Sequence, residues 1–177
     1  MPNWCSNNVT IEATDSESLK QLQNAVDEEK ELFNQFVPQP EFEGSDDWYM
    51  WNIENWGTKW DAQPNGITWH DDDSVSFTID TAWGPPTKFY EALEGLGYRV
   101  TGYYLEEGMA FVGKYEDGYD EYYEYGSMSA DEMESELPEW VDEQFNLIER
   151  KRDDEEWNSE ECISDDEDDE EDEEDDE

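Results

Sequence analysis

Ser74-Val75-Ser76-Phe77-Thr78-Ile79-Asp80-Thr81 alternates apolar and polar side chains without a break, the period-two signature of a strand with one buried face. Val75, Phe77 and Ile79 fall on one side, Ser76, Thr78 and Asp80 on the other. Such a strand needs neighbours and a layer over its apolar face, and the flanking sequence offers both. Upstream, Asn7, Val9 and Ile11 alternate with Asn8, Thr10 and Glu12 as a first strand. Over residues 16–33, Leu19, Leu22, Val26 and Phe33 follow helical spacing, with Asp27, Glu28, Glu29 and Glu31 on the solvent side and Asp15 or Ser16 as the cap. Phe36-Val37-Pro38-Gln39-Pro40 ends that helix, because a residue before proline is pushed out of the helical region. Residues 46–54, with Trp48, Trp51 and Ile53, read as a short helix, and residues 55–61 as a turn and a short strand.

Downstream, Gly84-Pro85-Pro86 interrupts the strand and a second helix starts at Pro86 or Thr87, with Phe89, Leu93 and Leu96 on one face and Gly97 as its stop. Residues 98–105 and 109–115 are β-rich runs joined by a hairpin at Glu106-Glu107-Gly108, and Asp117-Gly118 marks another tight turn before residues 119–125. The order strand, helix, strand, strand, helix, strand is that of an α+β, ferredoxin-like split βαβ arrangement: an antiparallel sheet with two helices on one face and extra C-terminal strands. Residues 127–152 read as one amphipathic helix, with a Ser129/Glu132 capping box, apolar positions Leu137, Trp140, Val141, Phe145 and Ile148, and Arg150, Lys151 and Arg152 at its C-terminal end. Its stripe has two readings, packing on the domain's own sheet or docking on a partner. Residues 153–177 are expected to be a disordered acidic tail.

Charge dominates the composition: the formal net charge is -44 on 177 residues. Residues 1–126 hold 26 acidic and six basic residues, net -20, and residues 127–177 hold 27 and three, net -24. A composition rule predicts disorder for a chain so charged. Nine Trp and ten Tyr overturn it, since each packed aromatic buries roughly 150–250 Å², and all but Trp140 and Trp157 lie within residues 1–126. One domain of 1–126 with an acidic appendage is the organisation expected. Cys5 and Cys162 are the two cysteines, without zinc-ligand neighbours. The N-terminal residues lack the pattern of a signal peptide and no stretch is long and apolar enough for a membrane span. The expectation is a soluble cytoplasmic protein with reduced thiols.

Three segments together resemble a known family: Pro2-Asn3-Trp4-Cys5-Ser6-Asn7-Asn8-Val9-Thr10-Ile11, Asn55-Trp56-Gly57-Thr58-Lys59-Trp60-Asp61, and Thr81-Ala82-Trp83-Gly84-Pro85-Pro86. They look like the YubB-type ferredoxin-like proteins carried by phages and plasmids, over roughly residues 1–126. The resemblance implies the fold and a mobile-element origin, and no activity.

Chemistry-bearing residues are few. His70 is followed by Asp71, Asp72 and Asp73, a triplet that suits a hard cation; with no ion-loop spacing it reads as a solvated turn, and no metal or cofactor is expected. Cys5 with His70 would be a nucleophile and base, but Cys5 shares the parity of Asn7, Val9 and Ile11 and reads as buried. Asn55, Trp56, Lys59, Trp60 and Asp61 form either a ligand site, with the two indoles flanking it, or a structural motif filling the core beneath a glycine turn; the structural reading is preferred. Tyr103, Tyr122 or Tyr123 on an open sheet face suit base stacking, but a domain of this charge repels a phosphate backbone. Neither direct nucleic-acid binding nor membrane binding is expected, and the chain reads as non-enzymatic.

The acidity itself is the functional lead. A compact domain of 126 residues spans about 36 Å, and about 20 phosphate charges of duplex DNA span about 34 Å. This points to a nucleic-acid mimic that occupies the basic groove of a host DNA-binding, nuclease or defence protein. The candidate contacts are Asp71, Asp72, Asp73, Glu106, Glu107, Glu116, Asp117, Asp120, Glu121 and Glu124. The alternative is a structural or scaffold protein whose acidic tail serves solubility or cation binding.

Overall fold

The computed structural model describes residues 2–27, 29–43, 47–70 and 73–164. The chain divides into two compact units, Met1–Gly126 and Ser127–Glu177. The first is an α+β unit built on a six-stranded antiparallel sheet. In chain order it runs β1 (Trp4–Glu12), α1 (Ser16–Ala25), α2 (Phe33–Phe36), α3 (Asp47–Asn55), β2 (Asn65–His70), β3 (Ser74–Ala82), α4 (Thr87–Gly95), β4 (Arg99–Glu106), β5 (Phe111–Glu116) and β6 (Tyr119–Glu124). The strands lie in the order β2-β3-β1-β4-β5-β6, compatible with the expected ferredoxin-like plan.

The period-two reading of β1 and β3 translates directly into layers. Val9 faces Phe77, and Ile11 faces Val75 and Val100, so one sheet face is apolar. That face joins Leu22 and Ala25 of α1, Phe33 and Phe36 of α2, and Phe89 and Leu93 of α4 in a single core. Asp15 caps α1, accepting from the backbone N–H groups of Glu17 and Ser18 while the Ser18 side chain closes a capping box. Gly97, at φ +93°, turns the chain out of α4. Asp117 and Gly118 both have positive φ, the primed geometry that suits a twisted hairpin.

Two expectations need correction in this unit. The first helix does not run to Phe33: it stops at Ala25, where Val26 is extended and Asp27 accepts from the backbone N–H of Glu29 instead of continuing the helix. Phe33 begins the separate α2, whose first N–H groups, from Phe33 and Asn34, are taken by Asp61. Nor is there a strand within residues 55–61. The second strand is β2, read poorly from sequence because it is an edge with nearly every side chain exposed and a register shift between Asn65 and Thr68, with Gly66 at φ +65°.

The second unit corrects the expected single helix. It comprises α5 (Ala130–Glu136), α6 (Trp140–Phe145) and α7 (Leu147–Ser164). Leu137 is extended before Pro138, and Asn146 takes the left-handed conformation between α6 and α7. The Ser129/Glu132 capping box is present. Arg152 stands in the first half of α7, not at a helix end, and binds Glu134 at 2.7 Å and Asp131 at 3.4 Å on α5. Glu155 accepts from the Ala130 N–H and pairs with Lys151. With acids used in this way, order continues past Asp153 to Ser164; residues 165–177 of the expected tail lie outside the described residues.

Two glycines leave room for tyrosine rings close against the sheet backbone. A Cβ on Gly102 would stand 2.8 Å from the Tyr90 ring, and one on Gly113 would strike the Tyr104 ring. Gly102→Ala is therefore expected to overpack the core and cost about 1–3 kcal/mol. Urea unfolding of the variant should show a lowered midpoint with an unchanged slope.

Candidate functional site

Residues 55–61 are pulled in different directions by their neighbours. Trp56 is buried, packs on Phe33 and Trp51, and donates its indole N–H to the Val37 carbonyl at 3.0 Å. Asn55 bonds the Trp51 carbonyl within α3. Gly57, at φ +84°, passes the backbone of Thr87 and Lys88 so closely that a Cβ would sit 3.2 Å from both amide nitrogens. Thr58 is buried and exchanges hydrogen bonds with the Ala82 backbone. Asp61 accepts from Phe33, Asn34 and Ala62. These five positions are structural. Trp60 differs: its side chain points to solvent, so the two indoles do not flank one ligand and do not both fill the core.

Trp60 belongs instead to a surface cluster that the sequence does not reveal. Its ring stacks on Trp83 with centroids 6.2 Å apart and lies 6.1 Å from Trp4. Trp4, Trp60 and Trp83 are 52 %, 39 % and 46 % exposed, an unusual outlay of apolar surface for one corner of a domain. The Lys59 ammonium lies 4.5 Å from the Trp60 ring centroid, 5.5 Å from Trp83 and 5.6 Å from Tyr49, the arrangement of a cation in an aromatic cage. Trp83 has φ +66°, a strained backbone for a bulky residue, and its N–H is held by the Asn3 carbonyl at 2.9 Å. The pairing Trp4↔Ala82 brings the indoles at the ends of β1 and β3 together. That register is a long-range property, invisible to local pattern.

Beside Trp4 lies an open cleft of about 590 Å³ lined by Trp4, Ser6, Glu31, Asp61, Gln63 and Asp80 among others. Ser6 donates to Asp80 at 2.9 Å. Burial pushes the Asp61 carboxyl above its usual range, against the three backbone donors that pull it down, with Glu31 adding to the rise.

The acidic residues expected to contact a partner do not form one surface. Asp71 and Asp72 lie outside the described residues. Asp73 is exposed in the turn before β3, and its carbonyl accepts from Ala13. Glu106 must be removed from the set: it is 1 % exposed and its carboxylate ties the hairpin by accepting from the N–H groups of Gly108 and Met109. Glu107 is exposed at that hairpin, and Asp117 is exposed at the β5–β6 turn. Glu116 pairs with Lys114 at 2.7 Å, and Lys114 in turn stands opposite Glu121. Asp120 and Glu124 share a face with Tyr115 and Phe111, Glu116 and Glu121 occupy the other, and Asp120 accepts from the Tyr104 hydroxyl at 2.7 Å.

The Cys5–His70 pair is not assembled. Cys5 is fully buried and its thiol is pushed up by burial and by the Glu106 carboxylate. His70 shares a hydrogen bond with Ser76 and stands opposite Ser74, which faces Glu12, seven strand residues or roughly 23 Å from Cys5. Among the described residues no group of three or more His, Cys, Asp or Glu is arranged to hold a metal ion, and no helix is long and apolar enough to cross a membrane.

Asp61 and Asp120 are both raised by burial, so folding takes up protons through them. Their contribution is fullest below the ordinary carboxylate range and is lost as pH rises through the raised values. The Asp15 cap has the opposite sign, because its carboxyl is held low by the N–H groups of α1. The melting temperature should therefore rise as pH falls from neutral toward the ordinary carboxylate value of about 4, and fall again below it. A scan of Asp120→Asn should show a flatter rise; a melting temperature that drops steadily from pH 7 downward contradicts the assignment.

Compared with protein-family models, with curated proteins and with solved structures, the chain finds no match.

Proposed function

We propose that residues 1–126 form a ferredoxin-like domain of the YubB type, and that the chain is a non-enzymatic acidic binding protein of phage or plasmid origin. In this reading it acts as a nucleic-acid mimic, occupying the basic groove of a host DNA-binding, nuclease or defence protein in the host cytoplasm. The strand order supports the fold: β1 lies between β3 and β4, with β2 beyond β3, and α1 and α4 share the core on one face.

The observation that carries the functional reading is where the few cations go. Of six basic side chains in residues 1–126, Lys20 is exposed on α1, Lys30 pairs with Asp27, Lys88 with Glu91, Arg99 with Glu12 and Lys114 with Glu116. Lys59 faces three aromatic rings. These exposed pairs contribute little to stability, about 0–1 kcal/mol each. Their effect is on partner choice, since they leave no concentration of positive charge to meet a phosphate backbone while a large negative excess faces outward. A basic surface is the complement.

One observation favours the second reading, a scaffold whose acidity serves solubility. The acids fall on both faces of β5 and β6 and at both ends of the sheet rather than in one ridge, and Asp120, Glu121 and Glu124 charge the exposed edge strand β6, a common defence against edge-to-edge association. The two readings separate in one experiment. Immobilised full-length protein is exposed to bacterial lysate and then washed with duplex DNA at constant salt. The mimic reading expects DNA-binding proteins to be retained and released by the DNA; retention of none, or no release by the DNA, leaves the scaffold reading.

A further inference from the structure

We propose that the exposed face of Trp4 and the carboxylate of Asp80, which border the same cleft, receive an arginine side chain of the basic partner. The inference rests on the reading that the partner is basic, and it adds a place and a side-chain chemistry to that reading.

Three features converge on this corner of the sheet. The first is the aromatic surface. Trp4, Trp60 and Trp83 form a continuous set of rings that the core does not use, and the Lys59 ammonium already rests among Trp60, Trp83 and Tyr49. The chain's own cation thus occupies the Trp60–Trp83 side, and Trp4 borders the cleft. The second is charge. The cleft lining includes Glu31, Asp61 and Asp80 and no lysine or arginine among the described residues. Asp61 is committed to three backbone N–H groups, whereas Asp80 is exposed, carried on the regular strand β3 and steadied by Ser6. The third is access, since the cleft is open and its volume of about 590 Å³ is ample for a guanidinium and its stem.

A guanidinium suits the pair better than an ammonium. It is planar, it stacks on an indole, and it presents a fork of donors to a carboxylate, while an ammonium is a strongly hydrated point charge. The nearby carboxylates of Glu31 and Asp61 raise the local negative potential and draw the cation in. Nucleobase stacking on the same indole is disfavoured, because the phosphates would meet those acids.

The test uses the full chain titrated with an arginine homopeptide and a lysine homopeptide of equal length, read by tryptophan fluorescence and calorimetry. The arginine peptide should bind about fivefold more tightly at equal salt. Trp4→Ala and Asp80→Asn should each bring it down to the lysine level, while Trp157→Ala, removing another exposed indole, should not. Asp80→Asn is nearly isosteric and decides the matter if Trp4→Ala fails to fold. Equal binding of the two peptides, or a preference that survives Asp80→Asn, overturns the site. In that case salt-dependent binding of both peptides leaves the basic-partner reading standing, and binding of neither removes both.

Discussion

Everything in the first unit depends on β1 lying at the centre of the sheet in one fixed register. Asn7 enforces it. The residue is fully buried, and its amide donates to the Cys5 and Ile79 carbonyls and to the Thr81 hydroxyl, while the Tyr90 hydroxyl reaches its oxygen from α4 at 3.5 Å. A buried amide that lost these partners would cost about 1–3 kcal/mol, so a slip of β1 against β3 is penalised beyond the misplacement of Val9 and Ile11. Because Trp4 and Asp80 are carried on these two strands, the same register builds the surface corner.

The molecule also shows how a chain with so much negative charge stays folded. Aromatic side chains replace aliphatic ones in the core, with Phe33, Phe36, Phe89, Tyr90, Tyr98 and Tyr115 in contact. Some carboxylates are made into structural acceptors: buried Glu106 closes a hairpin, half-buried Asp61 starts α2, and Asp120, on the exposed strand β6, receives Tyr104. The remaining acids are left at the surface, where solvent and salt screen them. The negative field outside is thus supported by a rigid frame.

Much of this frame was legible from local pattern. Residues 74–81 and the Asn7, Val9, Ile11 alternation each have one clean buried face, and the Asp15 cap and the Asp117-Gly118 turn carry their geometry in the residue types. What local pattern misses is set at long range. Asp61 starts a helix 28 residues upstream, the edge strand β2 has little to bury, and between Trp56 and Trp60 the loop is anchored to Ala82 through Thr58. Glu106 looked like one acid among many until the hairpin folded its own N–H groups onto it. The continuity of α7 past Asp153 arises the same way, from Arg152 and Glu155 reaching α5.

In the proposed function the folded surface of residues 1–126, rather than the terminal acidic run, recognises a basic partner. The most direct measurement is the salt dependence of affinity for an arginine homopeptide, compared between the full chain and a full-length variant with residues 165–177 replaced by serine and glycine. The variant should keep saturable, salt-sensitive binding with a moderately shallower slope of log affinity against log salt. Loss of binding in the variant would contradict it and assign recognition to the terminal run.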